Sequence, residues 1–264
     1  MRKLGKKYVE ASKKIEKAKL YDVKEAISLV KETSTTKFDS SVEVAMHLNI
    51  DTKKSDQQLR GSIVLPNGTG KSKKILVLAK GAAAEAAKKA GADFVGEQDL
   101  IDKISNENWF DYDVIVATPE MMPALGRIGK VLGPKGLMPN PKTGTVTTTP
   151  EKTVEDIKKG MIEYRADSLG NVHSIIGKVS FDEKSLEENL TYFVNTIIKN
   201  KPKTVKGTFV KSVSICTTMG PGIKLNTNTS SVGFVKRPYI FPASLRPNLA
   251  AACSQLRNTY DDVW

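Results

Sequence analysis

The stretch LPNGTGKSKKILVL, residues 65–78, joins two textures of sequence, and its reading decides the fold. Its GKS triplet invites a phosphate-cradling loop, which requires a glycine, four free positions, then glycine, lysine and serine or threonine. Counting back from Gly70, the first glycine should stand at position 65, and Leu65 stands there. A phosphate loop also runs from a strand into a helix, so that free helix amides face the anion. Here Lys73 and Lys74 lead into Ile75-Leu76-Val77-Leu78, an aliphatic run with the length of a buried strand. The stretch therefore reads as a glycine-rich connection between two domains. A nucleotide-dependent enzyme built on Lys71 and Ser72 is the competing reading, and the broken glycine spacing argues against it.

Beyond this connection the pattern is one of continuous apolar strands alternating with helices. KILVLAKG is followed by the alanine-rich helix AAAEAAKKAG, which ends at Gly91, then by ADFVG, a helix over 97–104, and YDVIVATPEMM. Such alternation predicts a parallel sheet covered on both faces. On either side of that module the texture is amphipathic. Residues 6–19 predict a lysine-studded helix, and Asp22 with Glu25 opens a second, whose Val23, Ala26, Ile27 and Val30 form one buried stripe. In SVEVAMHLNID the residues Val42, Val44, Met46, Leu48 and Ile50 recur with a period of two, which predicts a half-buried strand with His47 on its outer face as an ordinary surface residue. RGSIVL and SIIGKVSF add strands. A helix from Glu183 carries Leu186, Leu190, Phe193, Val194, Ile197 and Ile198, and GTFVKSVSICTTMG supplies another alternating strand. The fold class expected is α/β, with an α/β module set between two segments of α+β character.

Charge narrows the partner. The 264 residues hold 41 Lys and Arg against 29 Asp and Glu, a net +12, and the excess is clustered. Residues 1–20 carry eight basic and two acidic side chains; Arg127, Lys130, Lys135 and Lys142 stand in a run without an acid, as do Lys199, Lys201, Lys203, Lys206 and Lys211. Clusters of this kind make nucleic acid the leading partner. Two cysteines and two histidines allow neither a disulfide scaffold nor a zinc knot, so no metal and no cofactor are expected. No stretch approaches a membrane span or a secretory leader, and no nucleophile–base set or GxSxG elbow appears, so neither a membrane protein nor an enzyme is expected.

Three loops remain. TTKFDSSVE places Lys37 and Phe38 just before a strand: Phe38 either tucks into the core, the commoner fate of a phenylalanine, or offers an aromatic face for a base or ribose beside a lysine for phosphate. GRIGKVLGPKGLMPNPKTG, with five glycines and three prolines in nineteen residues, predicts an extended, shaped loop bearing Arg127, Lys130, Lys135 and Lys142. TTMGPGIKL ends a strand; it reads either as a plain turn with a buried methionine, or as a contact with Thr217 and Thr218 offering hydroxyls and glycines that permit close backbone approach.

Taken in order, TKFDSSVEV, SDQQLRGSIVLPNGTGK, GRIGKVLGPKGLMPNPKTGTVT and FVKSVSICTTMGPGIKL closely resemble the bacterial-type family of the first protein of the large ribosomal subunit, over about residues 1–225. That resemblance implies a split first domain, residues 1–66 plus 160–226, with a Rossmann-like second domain inserted at 67–159. It implies a non-enzymatic constituent of the cytoplasmic ribosome (an organellar home being the alternative), monomeric off the ribosome. Such a protein binds large-subunit rRNA at the mobile stalk beside the tRNA exit site, meets exit-site tRNA in passing, and represses translation of its own mRNA through the same surface. Carried onto matching positions, the RNA face comprises Lys37, Phe38, Ser212, Thr218, Met219 and Gly220, with Arg165 and His173 on its neighbouring part and the Arg127–Lys142 loop as a secondary basic contact. The chain departs from the family after Leu225. Residues 227–264 hold no sustained helical or strand period and read as an appended, disordered tail rather than a third domain.

Overall fold

The computed structural model describes residues 5–16, 18–107 and 109–227; the tail expected from 227 onward thus lies almost wholly outside the described residues. In chain order the elements are α1 (Lys6–Lys13), α2 (Val23–Glu32), β1 (Ser41–Leu48), β2 (Arg60–Val64), β3 (Ile75–Leu78), α3 (Ala82–Lys89), β4 (Phe94–Gly96), α4 (Gln98–Glu107) and β5 (Val114–Ala117). They continue as α5 (Met122–Arg127), α6 (Gly129–Leu132), α7 (Pro150–Lys158), β6 (Met161–Arg165), β7 (Asn171–Lys178), α8 (Glu183–Lys199), β8 (Val210–Thr217) and β9 (Ile223–Leu225).

The two textures fold into different sheets. In β3 all four residues are buried, and β3 lies between β4 and β5 in a parallel sheet of order β4-β3-β5. One side of this sheet packs Leu76, Leu78 and Ile115 with Ile104, Leu125 and Leu132; the other packs Ile75, Val77 and Val116 with Ala87, Val154 and Ile157. Successive strand residues thus face opposite cores, as a sheet covered on both faces requires.

The amphipathic segments make an antiparallel four-stranded sheet, β7-β1-β8-β9, with a two-stranded β2-β6 ladder beside it. A single core unites residues from both parts of the chain. Val42, Val44, Met46 and Leu48 of β1 meet Val172, Ile176, Val213 and Ile215, and α2 and α8 close over them with Ala26, Ile27, Val30, Leu190, Phe193 and Ile197. Every residue of this cluster falls either before position 66 or after position 161. The intervening chain leaves and returns side by side. Gly160, at φ 104°, lies so close to the outbound crossing that a Cβ there would stand 2.5 Å from the Gly68 Cα. Glycine alone satisfies both the dihedral and the space.

Two expectations need correction in extent. The first helix stops at Lys13 rather than 19, because Ile15 turns into the core and the Tyr21 hydroxyl accepts the Glu16 amide at 3.0 Å. The glycine–proline loop is not extended throughout. Its first part forms the short helices α5 and α6, because Met121, Leu125, Ile128 and Leu132 recur at helical spacing and are buried.

Candidate nucleic-acid interface

Because α2 and α8 cover one face of the four-stranded sheet, its other face is bare. Register fixes which residues share it: His47 lies between Asn171 and Ser212, Ala45 between His173 and Ser214, and Glu43 between Ile175 and Cys216. Lys224 extends the middle row on β9. Apart from Ile175 these side chains are small or polar, and the face carries a single acid among them, Glu43. The His47 Nδ1 lies 2.7 Å from the Asn171 Oδ1, and since that oxygen can only accept, Nδ1 is the donor. The Cys216 thiol is pushed up from its ordinary value by burial and, second, by the Glu43 charge, so it stays protonated at neutral pH.

One end of this face is built by two loops that are far apart in sequence. The Thr218 amide donates to the Ser41 carbonyl at 3.0 Å, and the Ser41 amide donates to the Thr218 Oγ1 at 3.2 Å. These bonds join the turn after β8 to the start of β1, three residues beyond Phe38. Within the turn Gly220 donates its amide to the Thr217 carbonyl at 2.9 Å. A Cβ at Gly220 would stand 2.1 Å from the Thr217 Oγ1. That hydroxyl is buried and has no hydrogen-bond partner among the described residues, so Thr217 is not the outward hydroxyl expected from the sequence. Met219 has φ 67°, the one positive φ at a non-glycine among the described residues, a conformation that costs about 1–2 kcal/mol. The result is to aim an apolar side chain outward: Met219 is 76% exposed and Phe38, across the junction, 60% exposed. Both therefore lie outside the core, the position that a phenylalanine in particular does not ordinarily take. Lys37 beside them is exposed, and Asp39 is engaged by Lys178 at 3.7 Å and by the Ser180 hydroxyl at 2.9 Å.

The structure thus gathers Lys37, Phe38, Thr218, Met219 and Gly220 at one end of the bare face, with Ser212 and His173 further along it on β8 and β7. Arg165 is not among them. It ends β6, and its cleft is shared with Lys53, Arg60, Asn140 and Lys142, so the long loop's last cation meets it there. Arg127, Lys130 and Lys135 stay exposed elsewhere on the loop, with Lys135 stacked over Phe110. Lys142 is thus drawn to the Arg165 cleft, whose lining includes none of the loop's other three cations.

One positioning residue escaped the sequence reading. Asn189, fully buried on α8, donates to the Ile176 carbonyl of β7 at 2.9 Å and to the Gly68 carbonyl at 3.0 Å, while its Oδ1 accepts the Asn67 amide at 3.1 Å. One side chain thereby fixes the outbound crossing to the first core. Its signal in the sequence is a polar residue inside the apolar stripe Leu186–Leu190–Phe193. Among the described residues no three of His, Cys, Asp and Glu gather as metal ligands, and no helix is long and apolar enough to cross a membrane.

Comparison with known proteins identifies this architecture. The family model described as ribosomal protein L1p/L10e matches residues 30–221. The large ribosomal subunit protein uL1 of Mycoplasma capricolum subsp. capricolum is 59% identical over 225 residues, which cover 85% of this chain and 99% of that protein. The proteins of the same name from Onion yellows phytoplasma and Macrococcus caseolyticus are each 58% identical, covering 87% and 86% of this chain and 99% and 97% of their own lengths. The chain belongs to the ribosomal protein L1p/L10e family, in its bacterial form.

Proposed function

We propose that this chain is a structural constituent of the large ribosomal subunit that binds rRNA of the mobile stalk near the tRNA exit site through the bare face of its four-stranded sheet. Members of the family are structural RNA-binding proteins, not enzymes. The observation that carries the assignment is the convergence of Lys37, Phe38, Thr218, Met219 and Gly220 at one end of a sheet face that no helix covers. Phosphate contacts from lysines supply affinity, while Phe38 and Met219 pack against bases or riboses and Ser212 and Thr218 offer hydroxyls to the backbone. The unit at 67–159, Rossmann-like in its alternation of parallel strands and helices, is the inserted second domain, and residues 1–66 with 160–226 form the RNA-binding one. In this reading the protein is a monomer off the ribosome and resides in the cytoplasm. Exit-site tRNA is met as the stalk moves, and the same face binds a similar fold in the protein's own mRNA and represses its translation.

The test is binding to stalk RNA. Phe38→Ala and Met219→Ala should each weaken it by about 1–3 kcal/mol with no loss of thermal stability, since both side chains are exposed. A fall in melting temperature with affinity unchanged would assign them to folding instead. Titration with a transcript of the protein's own leader examines repression separately: equal loss in both variants supports one shared surface.

A further inference from the structure

The sheet face does not end at β7. This strand is an edge of the four-stranded sheet, bridged near its start, at Val172, to Ala166 just after β6, and beside it opens a cleft of about 350 Å³ lined by Thr69, Lys71, Lys73, Glu163, His173 and Ile175. His173 and Ile175 belong to the bare face by register, so face and cleft are one continuous surface. The other wall comes from the crossing GTGKSKK, the stretch whose glycine spacing argues against a nucleotide loop.

We propose that this cleft, with Lys71 at its mouth, receives a phosphate of the bound RNA's backbone, so that the RNA interface continues from the sheet onto the chain crossing. The proposal rests on the RNA-binding reading given above. Lys71 is exposed and makes no ion pair among the described residues. The cleft's acid is already engaged: the Glu163 Oε1 accepts from the Arg60 Nε at 2.9 Å and from its Nη2 at 2.7 Å. Lys73 donates its Nζ to the Met161 carbonyl at 2.8 Å, which leaves two further protons on that ammonium to offer. Burial lowers the Lys73 pKa; Asp113 and Glu163 oppose the change, and the charge of Lys71 adds to it. Two ammoniums that disfavour one another beside an edge strand are relieved by an anion between them. Asn189, through its bonds to β7 and Gly68, holds the crossing against that strand and so fixes where Lys71 stands.

The experiment compares the whole protein with its Lys71→Gln, Lys71→Arg, Lys88→Gln and Met219→Ala variants, each binding the stalk segment of large-subunit rRNA over a range of salt concentration. Lys88, exposed on α3, is the control for net charge. Lys71→Gln should weaken binding severalfold and flatten the plot of log affinity against log salt by about 0.7–0.9, the loss of one phosphate contact. Lys71→Arg should restore both, and Lys88→Gln should change neither. If Met219→Ala weakens binding while Lys71→Gln behaves like Lys88→Gln, the cleft inference is overturned and the sheet-face reading stands. If neither variant weakens it, both are overturned. Loss at Lys71 alone would keep the cleft contact and remove the loops from the interface.

Discussion

The two sheets of this molecule share a chain but not a fate. The parallel sheet β4-β3-β5 has helices and loops on both sides, and every residue of β3 is buried. The antiparallel sheet has helices on one side only, and β1 alternates between buried and accessible residues along its length. A sheet covered twice has its side chains committed to two cores and none left for a partner. A sheet covered once keeps half of them, and in this chain that half is mostly polar or small, with Ile175 among it, and is bordered by Lys37, Phe38 and Met219. Under the proposed function, stability and recognition are then carried on separable surfaces, even within a single strand.

The largest effect should come from the doubly covered sheet. Leu78→Ala removes a fully buried side chain and should cost about 2–5 kcal/mol of stability, seen as a lower denaturation midpoint. RNA affinity per folded molecule should stay the same. A parallel loss of specific affinity would show that the inserted unit shapes the recognition surface, and the division between the sheets would fail.

Next comes the pin between the units. Asn189→Ala leaves the Ile176 and Gly68 carbonyls and the Asn67 amide without this partner, at a cost of about 1–3 kcal/mol. Amide exchange should quicken at Asn67–Thr69 more than in β3. Uniform quickening throughout would mean that Asn189 supports the whole fold rather than the crossing.

How far these roles are legible in sequence follows from the same contrast. The period of two in SVEVAMHL and the unbroken ILVL announce one sheet with an open face and one without, because burial on one side or two acts directly on successive residues. The core stripes of α2 and α8 are likewise local. What the sequence conceals is what depends on tertiary approach. That Thr218 bonds Ser41, that Arg165 sits with Lys142 rather than with Phe38, and that Lys71 borders His173 are consequences of pairing between distant segments. The helices α5 and α6 are a different case: counting glycines and prolines obscured the stripe Met121–Leu125–Ile128–Leu132, although Pro123 occupies a first-turn position where proline is tolerated. Asn189 stands out in its apolar stripe, but a polar residue in such a stripe does not name its partners.

A smaller effect is expected at Lys37. Lys37→Ala should leave melting unchanged and lower RNA affinity modestly, with the salt slope reduced by about one phosphate's share. An unchanged slope would remove Lys37 from the phosphate contacts and confine the interface end to Phe38 and the Thr218–Gly220 turn. The smallest effect belongs to the last residues. Removing 228–264 should change neither melting nor affinity, since the first core closes with Ile223 and Leu225. A clear drop in either quantity would show that Phe234, Tyr239 or Phe241 packs on one of the units, contrary to the reading of an appended segment.

The central claim, that the open sheet face and not the doubly covered unit meets RNA, is tested most directly by hydroxyl-radical footprinting of the whole protein with and without stalk RNA, read by mass spectrometry. Phe38 and Met219 are 60% and 76% exposed in the protein alone and should both be oxidised readily; Tyr192 on α8, at 48%, and Val131 on α6, at 37%, serve as references. The account predicts that RNA strongly protects Phe38 and Met219 and leaves Tyr192 and Val131 as reactive as before. Protection of Val131 with Phe38 and Met219 still fully oxidised would contradict it, because the RNA would then lie on the unit whose sheet has no open face.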